Sequence, residues 1–170
     1  MSTAPAQLSL IVTGGAGFIG SSLVRRLVRE GHHRIINLDK LSYAGNLDSL
    51  ADVADAPTYR FERADIADVR AVARIFEEHR PDALLNLAAE THVDRSIDGP
   101  QAFIQTNVVG TAVLLDAARD YLHGPRGERA NAALGEGGFR FVHVSTDEVF
   151  GALGPVGRFS ATSPYWPSSP

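Results

Sequence analysis

The stretch LSLIVTGGAGFIG, residues 8–20, decides the fold because it joins the signals of a strand, a tight turn and a helix. Leu8 to Thr13 is a short apolar run, partly β-branched, that stops at glycines, which is typical of a strand buried on both faces. From Phe18 to Arg29 the apolar residues recur at helical spacing, and Gly31 is suited to end that helix. The sequence therefore predicts a strand that turns sharply into a helix.

The turn itself has GxxGxxG spacing at Gly14, Gly17 and Gly20. Glycine permits a tight turn, a close approach of the backbone to a pyrophosphate, and close packing of the helix on the strand. The N-terminus of the helix adds N–H donors and a positive partial charge. We interpret the motif as the phosphate-binding turn of a dinucleotide site. The alternative is a glycine-rich turn that binds no ligand.

Asp39 follows Gly20 by nineteen positions and stands at the end of the second predicted strand. A carboxylate at this position can accept hydrogen bonds from both ribose hydroxyls of an adenosine. The same carboxylate repels a 2′-phosphate, so the sequence favours NAD over NADP. Lys40 could offset part of that repulsion, but the interpretation that we favour for it is an ordinary solvated lysine.

The rest of the chain alternates strands with helical segments. Further strands are predicted at Arg34–Leu38, Thr58–Glu62, Ala83–Leu87 and Phe139–Ser145. Asp68–His79 predicts a helix closed by Arg80-Pro81, while Lys40–Asn46 and Gly124–Gly138 are typical of loops. This alternation indicates an α/β fold with a doubly wound parallel sheet, in which ligands bind at the carboxyl ends of the strands. The length of 170 residues fits one dinucleotide-binding domain, residues 1–170.

Composition excludes several classes of protein. Sixteen Lys and Arg against twenty Asp and Glu give a formal net charge of −4, and the basic residues are dispersed, so no nucleic-acid partner is predicted. The lack of cysteine excludes disulfides and thiolate ligands, and the six histidines have no HExxH-type spacing, so no metal site is predicted. Because no leader-like start and no apolar run of about 18 residues is found, we expect a soluble cytoplasmic protein without a membrane partner.

The segment Gln101–Leu122 has an apolar band wider than one core-facing stripe needs. Its apolar residues include Val108, Val109 and Leu115. Core packing is the first interpretation of this band. Its width leaves a homodimer packed through this segment as the second.

Asp147 and Glu148 come just after the fifth predicted strand, with Ser145 and Thr146 before them. Two adjacent carboxylates beside a hydroxyl can divide acid and base roles if their environments separate their pKa values. The alternative is a helix start, where acidic residues complement the helix dipole.

Six stretches of the sequence resemble one family of enzymes. They are VTGGAGFIGS at 12–21, DKLSYAGNLDSL at 39–50, ADI at 64–66, PDALLNLAAETHVDRSI at 81–97, QTNVVGT at 105–111 and HVSTDEVFG at 143–151. By these motifs the chain resembles the extended short-chain dehydrogenase/reductases and, within them, the dTDP-glucose 4,6-dehydratase family. The glycines are common to the superfamily, whereas the Asp-Glu pair after Thr146 resembles the sugar-nucleotide 4,6-dehydratases.

The resemblance implies NAD as the cofactor and a nucleotide sugar, dTDP-glucose, as the substrate. Beside the glycine turn, it implies NAD contacts at Phe18, Ile19, Asp39, Lys40, Leu41, Ser42, Asp65, Ile66, Leu87, Ala88, Ala89 and Thr106. Thr91 and Thr146 are implied to touch the sugar nucleotide, and Thr146 is grouped with the catalytic pair. In such enzymes NAD oxidises C4 of the glucose, Glu148 would remove the C5 proton, Asp147 would protonate the departing C6 hydroxyl, and the hydride returns to C6.

The family's catalytic tyrosine and lysine, in a YxxxK pattern, are expected directly after Pro170, where this sequence ends. None of the tyrosines present has a lysine four positions later, and Lys40 is the sole lysine. We therefore expect a domain that is incomplete at its carboxyl end, forms most of the NAD site and does not turn over unaided.

Two alternatives stay open on the same fold. The first is a sugar-nucleotide 4-epimerase or a decarboxylase. The pair Asp147 and Glu148 argues against it, because an epimerase needs neither a C5 base nor an acid for a C6 leaving group. The second is a catalytically silent NAD-binding module.

Overall fold

The structure, a computed structural model, describes residues 7–124 and 138–168. The strands are β1 (Ser9–Thr13), β2 (Arg34–Asp39), β3 (Tyr59–Arg63), β4 (Ala83–Asn86) and β5 (Arg140–His143). The α-helices are α1 (Phe18–Glu30), α2 (Val69–His79), α3 (Val93–Asp98), α4 (Pro100–Phe103) and α5 (Thr111–His123). A π-helix spans Ile104–Gly110, and 3₁₀ turns span Leu47–Leu50 and Asp147–Phe150. None of these described helices combines the length and the apolar character needed to cross a bilayer.

The five strands form one sheet in the order β3-β2-β1-β4-β5, and every pairing is parallel. β1 lies in the middle, and the chain passes from β3 across β2 and β1 to reach β4 on the other side. The winding reverses between β1 and β4, which is where ligands bind in open α/β sheets. The predicted doubly wound parallel sheet is confirmed, and each predicted strand matches an observed one to within two residues at each end.

Two hydrophobic cores cover the two faces of the sheet. On one face, α2 and α5 pack against the strands, with Phe76 and Ile11 in the same cluster. On the opposite face, α1 contributes Val24 to a cluster that contains Leu10 and Val12. Because successive side chains of a strand point to opposite faces, neighbouring residues of β1 enter different cores. This explains why β1 is apolar without alternation.

The helix ends follow from the residues at their caps. The side chain of Asp68 accepts hydrogen bonds from the backbone N–H groups of Arg70 (3.0 Å) and Ala71 (3.1 Å) at the start of α2, where the first turn leaves donors free. α1 stops at Gly31, whose φ of 68° lies in the left-handed region that favours glycine. α2 stops at Arg80, which also has a positive φ and directly precedes a proline. The predicted ends of both helices are confirmed to within one residue.

The segment Gln101–Leu122 is not one regular helix, because α4 passes into the π-helix and then into α5. A π-helical turn changes the phase of the helix, so its apolar residues are not confined to a single stripe. Leu114 and Ala118 are buried against the sheet, whereas Val108 is 62% and Leu115 50% exposed. The wide apolar band therefore comprises a core face and a second face that the described residues leave uncovered.

The structure adds short elements to those that the sequence predicts. α3 and the 3₁₀ turn Leu47–Leu50 were not predicted, because each is too short to show an apolar period. The predicted loop Gly124–Gly138 lies outside the described residues except at its two ends. The described part of the tail after Gly151 contains no helix or strand, as its Gly, Pro and Ser content predicts.

A charged cluster joins β3 to α2. Glu62 contacts His79 (Oε1 to Nε2, 2.9 Å) and accepts a hydrogen bond from Arg74 (2.9 Å), which also donates to Glu78 (2.8 Å). Burial by itself raises the pKa of Glu62, but the hydrogen bonds from Arg74 and His79 outweigh it, so the pKa is lowered. Ligand atoms of the two carboxylates and the imidazole lie within 4.8 Å of one another. Since Arg74 bonds both carboxylates, we interpret the cluster as an ion-pair network.

Replacing Glu62 with Gln is expected to lower the free energy of unfolding at neutral pH. The variant's free energy of unfolding should also change less than that of the wild type as the pH falls. The pKa of Glu62 lies below its usual value of 4.5 in the folded protein, so its contribution is present above that pH and is lost as the pH falls through the folded pKa. Urea unfolding at neutral pH and at several acidic pH values measures the difference between the two proteins.

The matched control is Glu78→Gln, which removes the exposed partner of the same arginine. Exposed ion pairs contribute only about 0–1 kcal/mol, so this variant should follow the wild-type pH dependence. A Glu62→Gln profile parallel to that of the wild type at every pH would contradict the contribution assigned to Glu62.

Candidate functional site

The glycine turn after β1 is packed tightly against the ends of the neighbouring strands. Gly14 has a φ of 67° and donates its N–H to the carbonyl of Leu38 on β2 (2.9 Å). A Cβ on Gly14 would lie 2.7 Å from the backbone nitrogen of Ala88, and a Cβ on Gly20 would overlap the carbonyl oxygen of Gly14. Gly17 has more room, since a Cβ there would meet only that same oxygen, at 3.3 Å. Close packing therefore requires glycine at positions 14 and 20.

A cavity of about 280 Å³ opens beside this turn, at the carboxyl ends of β1, β2 and β4. Its wall is formed by Gly14, Gly17, Phe18, Ile19, Gly20, Leu38, Asp39, Lys40, Ser42, Ala44, Gly45, Ala64, Ile66, Leu87, Ala88, Ala89, Glu90, Thr91 and Thr106. The predicted cofactor residues all lie on this wall except Leu41 and Asp65, and the predicted substrate residue Thr91 lies there too. The structure thus brings together, in one crevice, residues spread over the first two thirds of the chain.

Asp39 ties the end of β2 to the glycine turn. Its side chain is buried, and one carboxylate oxygen accepts a hydrogen bond from the N–H of Ala16 (2.9 Å) while the other accepts from that of Leu41 (2.8 Å). Hydrogen bonds to an ionised acceptor are stronger than those between neutral groups. Leu41, with a φ of 58°, is held by this bond just outside the cavity wall. Asp39 therefore both shapes the turn and lines the cavity.

Lys40 is not a solvated lysine, and that interpretation is wrong. Its Nζ donates to Oγ1 of Thr106 (3.0 Å) and lies 3.6 Å from a carboxylate oxygen of Asp65 and 3.7 Å from one of Glu90. The ammonium group thereby connects the ends of β2, β3 and β4 to the π-helix. Asp65 does not line the cavity, but it contacts Lys40, which does. Neighbours in sequence could not reveal these partners, because each comes from a different element.

Thr13 and Glu90 are site residues that sequence reasoning missed. Thr13 is fully buried at the end of β1, and its Oγ1 accepts hydrogen bonds from the N–H groups of Leu87 and Ala88, both at 3.2 Å. It donates in turn to the amide oxygen of Asn86. A polar residue that closes an otherwise apolar strand was the available signal for Thr13. For Glu90, the signal was a carboxylate placed soon after a strand that ends at the ligand edge of the sheet.

Thr146, Asp147 and Glu148 stand apart from the cavity wall and are exposed. They open the 3₁₀ turn after β5, where Oγ1 of Thr146 accepts a hydrogen bond from the N–H of Glu148 (3.2 Å). Locally this is a capped helix start, as the alternative interpretation stated. Because β5 is parallel to β1 and β4, the pair lies at the same edge of the sheet as the cavity. The acid and base roles of the two carboxylates stay predictions.

The tail packs back onto this turn through aromatic side chains. Phe150 stacks on Phe159 with ring centroids 5.2 Å apart, and its ring lies 5.5 Å from that of Tyr165. The backbone N–H of Trp166 donates to the carbonyl of Val149 (2.9 Å). These contacts hold the chain beside Asp147 and Glu148 rather than across the cavity.

Comparisons with known proteins agree with this geometry. A family model described as GDP-mannose 4,6 dehydratase matches residues 11–170. A dTDP-glucose 4,6-dehydratase from Shigella flexneri is 51% identical over 172 residues, covering 96% of this chain and 46% of that relative. DesIV, a dTDP-glucose 4,6-dehydratase from Streptomyces venezuelae solved with NAD bound, has a TM-score of 0.80 at 43% identity, covering 95% of this chain and 46% of its own. For the UDP-glucose 4-epimerase of Thermotoga maritima the TM-score is 0.77 at 31% identity, with the same coverage of both chains.

The parallel sheet, its reversal of winding and the glycine turn define a nucleotide-binding α/β protein of the Rossmann type. Within that class, the chain belongs to the family described as GDP-mannose 4,6 dehydratase. The predicted resemblance to dTDP-glucose 4,6-dehydratases is confirmed by relatives and structures that carry that name. The family description and these names agree on a 4,6-dehydratase and differ in the sugar nucleotide. The chain spans about half the length of the curated relatives it matches.

Alanine at Gly20 is expected to destabilise the fold far more than alanine at Gly17. At Gly20 the added Cβ meets backbone atoms that cannot move aside, and such overpacking costs about 3 kcal/mol. At Gly17 the backbone is extended and the only close atom can yield slightly, so the loss should be about 1 kcal/mol, the cost of alanine at a helix N-cap.

Chemical denaturation of both variants against the wild type measures these differences. The pair is matched, because each variant adds one methyl group to the same turn. Equal losses of stability for Gly17→Ala and Gly20→Ala would contradict the packing described for the turn.

Proposed function

We propose that the whole protein is an NAD-dependent dTDP-glucose 4,6-dehydratase, a lyase that converts dTDP-glucose to dTDP-4-keto-6-deoxyglucose with loss of water. The observation that carries the proposal is the Asp147-Glu148 pair beyond β5, on the same edge of the sheet as the dinucleotide-type cavity. The names of the relatives from Shigella flexneri and Streptomyces venezuelae support this substrate.

The cavity fits NAD on three observations. At Gly17 there is free space next to the turn, because a Cβ there would meet only one backbone oxygen, at 3.3 Å. The first N–H groups of α1, at Phe18 and Ile19, have no intrahelical acceptor, as at any helix N-terminus. Asp39 lines the cavity with an acceptor suited to ribose hydroxyls. Glycine turn, helix N-terminus and carboxylate match the pyrophosphate and the ribose of the cofactor. When bound, NAD supplies a hydride acceptor for C4 of the sugar and a hydride donor for C6.

Selectivity for NAD over NADP is expected to depend on Asp39. Its carboxylate repels a 2′-phosphate, so the wild type should bind NAD⁺ at least about tenfold more tightly than NADP⁺, a difference of about 1.4 kcal/mol. Asp39→Asn should narrow this ratio, and calorimetric titration with both dinucleotides measures it. The control is Asp55→Asn, an exposed aspartate away from the cavity wall. An unchanged NAD⁺/NADP⁺ ratio in Asp39→Asn would overturn the role proposed for this carboxylate.

Asp147 and Glu148 carry out the proton transfers of the proposed reaction. Once C4 carries a ketone, the C5 proton is acidic, and Glu148 as a general base takes it. Asp147 as a general acid gives a proton to the C6 hydroxyl, so that the C–O bond breaks and water leaves. Thr91 and Thr146 offer hydroxyls to the hexose. The hydride is then returned to C6 and Glu148 returns its proton to C5, while the proton released from the C4 hydroxyl balances the one that Asp147 gave. The sequence of steps removes one water and leaves no net change of oxidation state in the cofactor.

Asp147→Asn is expected to slow the loss of water more than the oxidation at C4, because an amide cannot supply the proton that the departing hydroxyl needs. The loss should be about 10²–10⁴-fold in the elimination step. In the whole protein, rapid mixing with dTDP-glucose separates the steps: absorbance of reduced NAD reports oxidation, and product formation reports elimination. Equal slowing of both steps would show that Asp147 does not act as the acid.

Product analysis tests the function itself. The whole protein incubated with NAD⁺ and dTDP-glucose should form the 4-keto-6-deoxy sugar nucleotide, seen as a mass loss of one water. Formation of the galactose epimer instead would favour the epimerase alternative, which the Thermotoga maritima structure represents on this fold.

The same proposal includes a homodimer and a cytoplasmic location. The exposed apolar side chains of Val108, Val109 and Leu115 support a helical packing surface. Both statements stay predictions.

A further inference from the structure

One wall of the cavity is a stretch of backbone without regular structure. β4 ends at Asn86 and α3 begins at Val93, and Leu87, Ala88, Ala89, Glu90 and Thr91 of the intervening stretch line the cavity. Thr13 holds the start of this stretch through the N–H groups of Leu87 and Ala88. Irregular backbone of this kind needs partners from elsewhere in the fold to keep one conformation. The residue that bonds the second half of this stretch therefore helps to determine its conformation.

Asn107 supplies that partner with both ends of its side-chain amide. Its Oδ1 accepts a hydrogen bond from the N–H of Glu90 (2.8 Å), and its Nδ2 donates to the carbonyl of the same residue (2.9 Å). The two bonds form a closed pair between one amide and one residue, which mimics the pairing of an adjacent strand. Such a pair fixes both the position and the tilt of the Glu90 backbone.

The π-helix that carries Asn107 touches the cavity wall at three places. Thr106, beside Asn107, is buried and accepts the hydrogen bond from Lys40. Gly110, at the end of the π-helix, lies against Ile66, since a Cβ there would be 2.6 Å from that side chain. π-helical turns are uncommon and are found frequently at functional sites. This one places Thr106 against Lys40 after β2, Asn107 against Glu90 after β4, and Gly110 against Ile66 after β3.

We infer that Asn107 is a positioning residue of the cofactor site: it holds the Ala88–Thr91 wall in the shape that the dinucleotide requires, although it does not line the cavity itself. The inference rests on the proposed NAD site. Its physical basis is that a ligand binds more tightly to a wall that is already ordered, because the ordering cost is not taken from the binding energy.

Neither aspartate nor alanine can replace asparagine at this position. Aspartate keeps an acceptor for the N–H of Glu90 but sets a carboxylate against the carbonyl of Glu90, so one of the two bonds becomes a repulsion. Alanine removes both bonds and leaves two backbone groups without their partner. The expected order of effect is therefore alanine at least as severe as aspartate, with neither equal to the wild type.

The test combines amide hydrogen exchange without cofactor and titration with NAD⁺. In Asn107→Ala, the amide of Glu90 should exchange about tenfold faster or more, and the dissociation constant for NAD⁺ should rise about tenfold, as expected for the loss of two half-buried hydrogen bonds. The matched control is Gln105→Ala, an amide truncation two residues earlier on the same π-helix, at an exposed position off the cavity wall. It should change neither quantity.

The outcomes separate this inference from the proposed function. If exchange at Glu90 is unchanged in Asn107→Ala and Asn107→Asp, or if Gln105→Ala has an equal effect, then the side chain of Asn107 does not hold the backbone of Glu90. Faster exchange with an unchanged NAD⁺ affinity would overturn the positioning role. A wild-type protein that binds no NAD⁺, while Asn107→Ala still speeds exchange at Glu90, would overturn the cofactor assignment but not the contact. If Asn107→Ala fails to fold, Asn107→Asp carries the same two measurements.

Discussion

The lack of space for a side chain where the glycine turn meets β2 and β4 is the constraint on which the rest of the structure depends. Gly14 lies so close to Ala88 that the end of β1 and the segment after β4 are held in contact. On the other side, the buried carboxylate of Asp39 bonds the backbone of Ala16. The turn is thus fixed from both neighbours at the point where the winding of the sheet reverses, and the cavity is the space that these segments leave between them.

The charged contacts of Lys40 add a second constraint on the cavity wall, beside the close packing at the glycine turn. Lys40 is a single ammonium among the carboxylates of Asp65 and Glu90 and the hydroxyl of Thr106, and these groups come from four different parts of the chain. A half-buried ammonium needs such partners, because removing a charge from water without them costs free energy. The pairing therefore orders the cavity wall as well as the lysine, and it places a mixed set of charges next to the carboxylate of Asp39.

The carboxylate pair that would perform the elimination has a different setting. Asp147 and Glu148 are exposed, and so are Val142 on the neighbouring strand β5 (46%) and Val144 just after it (48%). Strands of parallel sheets are ordinarily covered on both faces, so the described residues leave this side of the sheet open. The cavity beside the glycine turn is thus built from several elements, whereas Asp147 and Glu148 are exposed beside one strand and the tail that packs on the turn after it.

The sequence by itself determined the strands, the turn and the helices α1 and α2, because these depend on apolar period, glycine spacing and caps such as Asp68, all of which act between near neighbours. It also placed most of the cavity wall, since the ends of parallel strands share one edge and the motifs resemble a known family. Only the tertiary structure decided the pairing of Lys40, the π-helix within Gln101–Leu122, and the roles of Thr13 and Asn107. Their partners lie 17 to 75 residues away, and no local pattern records which distant groups the folded sheet brings into contact.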